Sequence, residues 1–196
     1  MTWFRFLCLL LAVAAAGCSK PSAEEYFARA QAQAQAAATM ADTLRSPDAV
    51  REAFQPALGL FESVVREYPH HPLAEAAIFE IANIHNSNLH MPREAIDAYG
   101  LYCREYPAGK QTPLAMFLIG YLYNNELHNI DSAASAYRRF LEKYPDSEMA
   151  ASARFELSTL GKSPEEALPI PPPEPAAKRP KKFSVCTGSP VFITCA

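Results

Sequence analysis

The strongest constraint on this chain is a three-fold internal repeat. Glu67-Tyr68-Pro69, Glu105-Tyr106-Pro107 and Lys143-Tyr144-Pro145 recur at a spacing of 38 residues. Before the proline the same offset aligns Ala57, Ala95 and Ala133; Phe61, Tyr99 and Tyr137; and Val64, Tyr102 and Phe140. After it, Ala77, Ala115 and Ala153 align, then Phe79, Phe117 and Phe155, then Ile81, Ile119 and Leu157. A fixed period between about 20 and 50 residues marks supersecondary units that stack, because one unit alone cannot bury its apolar face.

Each unit reads as two helices. Residues 92–106 set Ala95, Ile96, Tyr99, Tyr102, Cys103 and Tyr106 at helical spacing, and residues 130–144 and 47–68 repeat the pattern. The other helix type, over 72–89, 112–127 and 147–160, is apolar on more than one face, as a helix packed between neighbours must be. Ser22 with Glu25 forms a capping-box pattern that opens an Ala- and Gln-rich helix over 22–44. Ser46-Pro47, His71-Pro72 and Thr112-Pro113 are start signals, Asp146 is the expected cap of the last helix, and Gly161 is its stop. The helices pair as 22–44 with 47–68, 72–89 with 92–106 and 112–127 with 130–144. Residues 147–160 remain as a terminal cap, which a solenoid needs to shield its last apolar face.

Both ends differ from this repeat region. Arg5 precedes an apolar run, Phe6 to Ala16, whose 11 residues suit a signal peptide. Spanning a bilayer as a helix takes about 20. The run closes on Ala15-Ala16-Gly17 before Cys18. After Ser163-Pro164 come Pro169, Pro171, Pro172, Pro173, Pro175 and Pro180, an extended linker over 163–182 with a basic cluster at Lys178, Arg179, Lys181 and Lys182. The tail, 183–196, carries Cys186 and Cys195, the candidate disulfide pair in an oxidising compartment. Removal of residues 1–17 takes Arg5 with it, so the formal charge moves from −3 to −4. That balance is too mild to indicate nucleic acid as a partner.

Two resemblances follow from these residues. Ala15-Ala16-Gly17-Cys18 resembles the bacterial lipobox, which implies cleavage before Cys18 and lipidation of its thiol; the alternative is an ordinary signal peptide with a cysteine beside its cut site. Ser19 at the next position resembles the sorting signal for the outer membrane, facing the periplasm. The small residue at Ala57, Ala95 and Ala133, the aromatic four later and the proline twelve later resemble the second helix of tetratricopeptide repeats, whose usual period is 34. The implied fold is all-α, a right-handed superhelix of antiparallel helix pairs. The repeats over 46–162, behind a lipidated N-terminus and first helix over 18–45, are similar to those of envelope lipoproteins: the tetratricopeptide subunit of the outer-membrane β-barrel assembly machinery and the periplasmic coordinator of the Tol–Pal system. The resemblance implies a lipid-anchored scaffold that binds envelope proteins. A cell-wall or division coordinator is the alternative, and a substrate-binding lipoprotein the third reading.

The family binds its partners on the surface lined by the first helix of each pair. That makes Glu75, Glu80, Asn83 and Asn86 on one helix, and Tyr121, Asn124 and Asn125 on the next, the candidate contacts. Asn86 and Asn124 occupy equivalent positions. The plainer reading of the asparagines is that they solvate or cap helix ends. His70, His71, His85 and His90 gather in one repeat, with His128 apart, but their spacings do not converge on a metal. No nucleophile elbow, zinc-protease motif or phosphate loop is present in the sequence, so catalysis and cofactors are not expected. Cys103 aligns with Val65 and Leu141 and reads as a small apolar residue.

Overall fold

The computed structural model describes residues 20–162. Seven α-helices follow one another among the described residues: α1 (Ala23–Ala41), α2 (Pro47–Glu67), α3 (Pro72–Asn83), α4 (Pro92–Glu105), α5 (Thr112–Asn125), α6 (Ile130–Lys143) and α7 (Ala150–Thr159). α3 continues through one π-helical turn, Ile84–Asn88. Each helix packs against the next in sequence, so the pairs are α1 with α2, α3 with α4 and α5 with α6, and α7 lies on α6. The fold is an all-α stack of tetratricopeptide-like hairpins. Its compact unit ends at Leu160. Cys18, Ser19, the expected signal segment, the Pro-rich stretch, the basic cluster and the candidate pair Cys186 and Cys195 lie outside the described residues.

The turn between repeats follows from one covalent constraint. The residue before a proline is driven out of the α region by the proline ring. Tyr68, Tyr106 and Tyr144 therefore end α2, α4 and α6 with nearly the same backbone, φ/ψ of −134°/52°, −125°/64° and −132°/58°. Each still donates its N–H to the carbonyl four residues back, and then accepts from His71, Gly109 or Ser147 at 3.0, 3.0 and 3.3 Å. The chain is thereby reversed in the same way three times.

The capping box at Ser22 and Glu25 is formed by reciprocal bonds of 3.1 and 3.2 Å. Ser46 Oγ accepts from the Ala49 N–H at 3.1 Å, and His71 Nδ1 accepts from Leu73 at 3.2 Å. Two expected caps are corrected. Thr112 is the first residue of α5 rather than its cap; it is fully buried, and its hydroxyl turns back to donate to the Tyr106 carbonyl at 2.5 Å. Asp146 is exposed and caps nothing; α7 starts at Ala150, later than expected, and Ser147 Oγ accepts the Met149 N–H at 3.3 Å. α1 stops at Ala41, short of residue 44: the Thr43 and Leu44 N–H groups bond three residues back, to the Met40 and Ala41 carbonyls at 2.9 and 3.1 Å, and the Thr43 hydroxyl also donates to Met40 at 2.7 Å. Pro56 lies inside α2 on an exposed face, where water can solvate the carbonyl of Glu52 that it leaves without a helical donor.

α3 and α5 also stop alike. His90 and His128, 38 residues apart, both have φ of 50°, the left-handed region. Leu89 and Leu127 donate to carbonyls five residues back, and Met91 and Asn129 to carbonyls six back at 2.8 Å. The six-residue bond is that of a Schellman-type stop, usually built on glycine. Gly161, with φ of 72°, follows α7 as expected.

The core is a series of aromatic wedges. Phe79 of α3 sits edge-on to Tyr99 and Tyr102 of α4, at 5.6 and 5.3 Å between ring centres. Phe117 of α5 repeats this with Tyr137 and Phe140 of α6, at 5.7 and 6.0 Å. In the first pair Phe27 of α1 meets Phe61 of α2 at 5.3 Å. Alanines at 57, 77, 95, 115, 133 and 153 are fully buried, which allows the helix backbones to approach closely. Gly120 serves the same end more severely: a Cβ there would lie 2.7 Å from Cε1 of Tyr137.

Two predictions arise from this packing. Gly120→Ala should destabilise the fold by about 1–3 kcal/mol, because the buried Tyr137 ring has nowhere to retreat, despite the better helix propensity of alanine. Urea unfolding measures this, and a gain in stability would show that the ring yields freely. The second concerns His85, whose Nδ1 is buried without a partner. Burial lowers its pKa below the ordinary value, against the opposing pull of Glu94 and Glu62. The unfolded chain then binds the proton more readily, so stability is fully present above pH about 6.5 and declines as pH falls towards the lower folded pKa. Urea midpoints at pH 7.5 and 5.5 should differ less in His85→Gln than in the parent; equal differences would assign the effect elsewhere.

Candidate functional site

The sequence places the candidate contacts on the first helix of each pair, and shallow grooves open there. One, of about 270 Å³, lies between α1 and α3: Gln31 and Gln35 form one wall, Glu80, Asn83 and Asn88 the other, and Phe54 and Phe61 lie at its base. A second, of about 280 Å³, runs from Pro72, Glu75 and Phe79 of α3 to Tyr102 and Gln111. Glu80 lines both. Their polar side chains are carboxylates and amides set among aromatic and aliphatic ones, with no cation in either lining, so the surface suits backbone amides and basic or amide side chains.

The polar groups divide into those that hold the stack and those that are free. Glu75 accepts from the Tyr102 hydroxyl at 2.6 Å, and that hydroxyl accepts from the Gln111 N–H at 3.3 Å. Burial, together with the Glu75 bond, pushes the Tyr102 pKa up to about 12. Asn83 Oδ1 accepts from the Tyr99 hydroxyl at 2.8 Å, with Asn86 also beside that hydroxyl. Glu80 makes no hydrogen bond or ion pair among the described residues, which leaves its carboxylate available.

On α5 the equivalents are used differently. Asn124 Nδ2 donates to Glu156 Oε2 of α7 at 3.1 Å, tying consecutive first helices together. Asn125 donates to the Tyr121 carbonyl at 3.1 Å within its own turn. Tyr121 is exposed and lies where Asn83 lies one repeat earlier. The structure thus brings Glu80 and Asn83 together in a groove, with Glu75 in the next, and leaves Tyr121, Asn124 and Asn125 apart from both. Gln31, Gln35, Asn88 and Gln111 are groove residues missed by the sequence reading. The glutamines of α1 could have been recognised, since they recur at four-residue spacing on one face.

A further cleft of about 460 Å³ opens between α4, α5 and α6. Met116, Ile119 and Tyr123 lie along it, and Arg104, Arg139 and Lys143 bring positive charge. Cys103 lines this cleft, and burial raises its thiol pKa, which disfavours the reactive thiolate. The histidines separate: His71 caps α3, His85 is part-buried, and His90 and His128 are the left-handed stops. No group of three metal-ligating side chains converges among the described residues, and no described helix is long and apolar enough to cross a membrane.

Asn83 and Tyr121 give opposite expectations for the tyrosines facing them. Tyr99 has an acceptor, whereas the Tyr137 hydroxyl is buried with none. Tyr99→Phe should cost about 1 kcal/mol, while Tyr137→Phe should be neutral or stabilising. Paired thermal and urea unfolding checks this, and equal losses would contradict it.

Residues 114–147 match the tetratricopeptide repeat family model. The matched stretch contains nearly all of α5, the whole of α6 and the Tyr-Pro turn that follows, which is one complete hairpin. No curated protein matches the chain significantly.

Proposed function

We propose that this chain is a protein-binding scaffold of the bacterial envelope, anchored through lipid on Cys18 and facing the periplasm from the outer membrane. The observation that carries the binding role is the run of open grooves along α1 and α3, on a stack whose α5–α6 hairpin matches a family of interaction scaffolds. The free carboxylate of Glu80, shared by both grooves, is the centre of the contact surface. Asn83 lies in the same groove, and Asn86 stands beside the Tyr99 hydroxyl that Asn83 binds. On α5, Tyr121, Asn124 and Asn125 extend the surface only where a partner reaches beyond the grooves. The repeats position partners and carry out no chemistry of their own.

The envelope setting rests on the signal segment and Cys18. A diacylated cysteine suffices as an anchor, because each buried methylene contributes about 0.8 kcal/mol and two chains pass the threshold that one does not. The resemblance to the lipoprotein subunit of the β-barrel assembly machinery favours a role in outer-membrane protein assembly. The Tol–Pal coordinator, with cell-wall partners, is the competing assignment.

Two measurements test this. Cys18→Ala should move the protein from the membrane fraction to the soluble periplasm; a variant still in membranes would sink the anchor. Cross-linked envelopes should yield a β-barrel assembly protein at stoichiometric amounts with the native chain and several-fold less with Glu80→Lys. Recovery of peptidoglycan-remodelling proteins instead would assign the chain to the Tol–Pal role. Equal recovery with both chains would remove the groove from the argument.

A further inference from the structure

The last helix ends the repeat series with one wedge open. Ala153 is buried beside Tyr137 and Phe140 of α6, just as Ala115 is buried beside Tyr99 and Tyr102 of α4. α7 therefore sits in the register of a first helix. Phe155 follows two residues later, about 200° further round a helix that turns about 100° per residue, so it points away from α6. At the equivalent positions Phe79 and Phe117 are each covered by two aromatic rings of the following helix. Phe155 remains 51% exposed, the most open large apolar side chain among the described residues.

The adjoining position completes the pattern. Three residues after each phenylalanine stands a small residue: Ala82, Gly120 and Ser158. Ala82 and Gly120 are buried, and the Tyr137 ring lies directly against Gly120. Ser158 is exposed. α7 thus carries both halves of the socket, the phenylalanine and the notch, without the tyrosine that fills it in the previous hairpins.

The chain's own continuation does not carry the residues that fill the socket. In register, Pro171, Pro175 and Lys178 stand where Ala133, Tyr137 and Phe140 stand one repeat earlier. Proline lacks the backbone donor of a helix interior, and the small and aromatic residues of the second-helix pattern are absent from the sequence at these positions.

We propose that α7 is the first half of a hairpin whose second helix is donated by a partner protein: an amphipathic helix with a small residue followed by aromatics four and seven positions later. The exposed face of α7 continues the series of interfaces already formed between α3 and α4 and between α5 and α6, which defines the occupant's pattern. This surface is separate from the grooves, so their failure to bind does not affect it.

The probe is a fluorescently labelled synthetic peptide with the sequence of residues 129–145, which supplies Ala133, Tyr137 and Phe140 in trans to the full chain. Saturable binding is expected. It should weaken at least tenfold with Phe155→Ala in the chain, with Ser158→Leu, which fills the notch, or with Tyr137→Ala in the peptide. Both chain positions are exposed, and circular dichroism checks that the variants keep their helix content. Absence of saturable binding overturns the proposal. So does binding that ignores Phe155→Ala, since the peptide would then be replacing α6 on α5. A concentration-dependent dimer in sedimentation that Phe155→Asp abolishes also overturns it, by giving the face to a second copy of this chain.

Discussion

The interaction on which the rest of this structure depends is the insertion of a phenylalanine between two aromatic rings of the following helix. Phe79 between Tyr99 and Tyr102, and Phe117 between Tyr137 and Phe140, fix how far apart the two helices of a hairpin stand and how they are turned. Truncating a buried aromatic of this kind costs about 3–5 kcal/mol, a large share of the stability of a single domain. The small residues of the repeat follow from it. Ala82 and Gly120 stand in the notch because a ring occupies the space, and the fully buried alanines at 77 and 115 allow the preceding hairpin to close on the other side.

The same wedges determine which polar groups remain for a partner. Tyr99 and Tyr102 bury their rings but carry hydroxyls that must be satisfied, and they take up Asn83 and Glu75. The groove is therefore not lined by free polar side chains throughout. Its wall is partly a by-product of core packing, and Glu80, like Gln31, Gln35 and Asn88, is left without a side-chain bond among the described residues. When Tyr121 replaces the asparagine one repeat later, the Tyr137 hydroxyl has no partner and that position of α5 presents an aromatic face in place of an amide. Differences between repeats at two or three positions thus give each first helix its own surface chemistry.

Much of this was legible from residue order. The 38-residue offset identified the hairpins, their pairing and the wedge residues, because stacking demands the same side chains at the same depth in every unit. The helix ends were less legible. Thr112 and Asp146 both fit the composition of a cap, but Thr112 is drawn inward by its burial, and Ser147 rather than Asp146 accepts the backbone N–H. His90 and His128 were set aside as metal ligands, but their shared offset of 38 also marked a backbone role, a left-handed stop. The groove was half visible: Glu80 and Asn83 could be placed from helical phase, whereas Gln111 and Asn88 reach it only through the turn and the π-helical segment that close α3 and open α5.

The way the hairpins follow one another also has a kinetic meaning. Each helix packs mainly on its immediate neighbours in the chain, so nearly every stabilising contact joins residues close in sequence. Chains of low contact order pay little loop-closure entropy before contacts form and fold quickly. They also open from the ends, since a terminal unit has one neighbour where an inner unit has two. With no ring over Phe155 among the described residues, α7 should be the first of the described helices to exchange its amide hydrogens and the last to acquire protection during folding. The end of the stack is thus the part of the described fold most readily reshaped by whatever meets it.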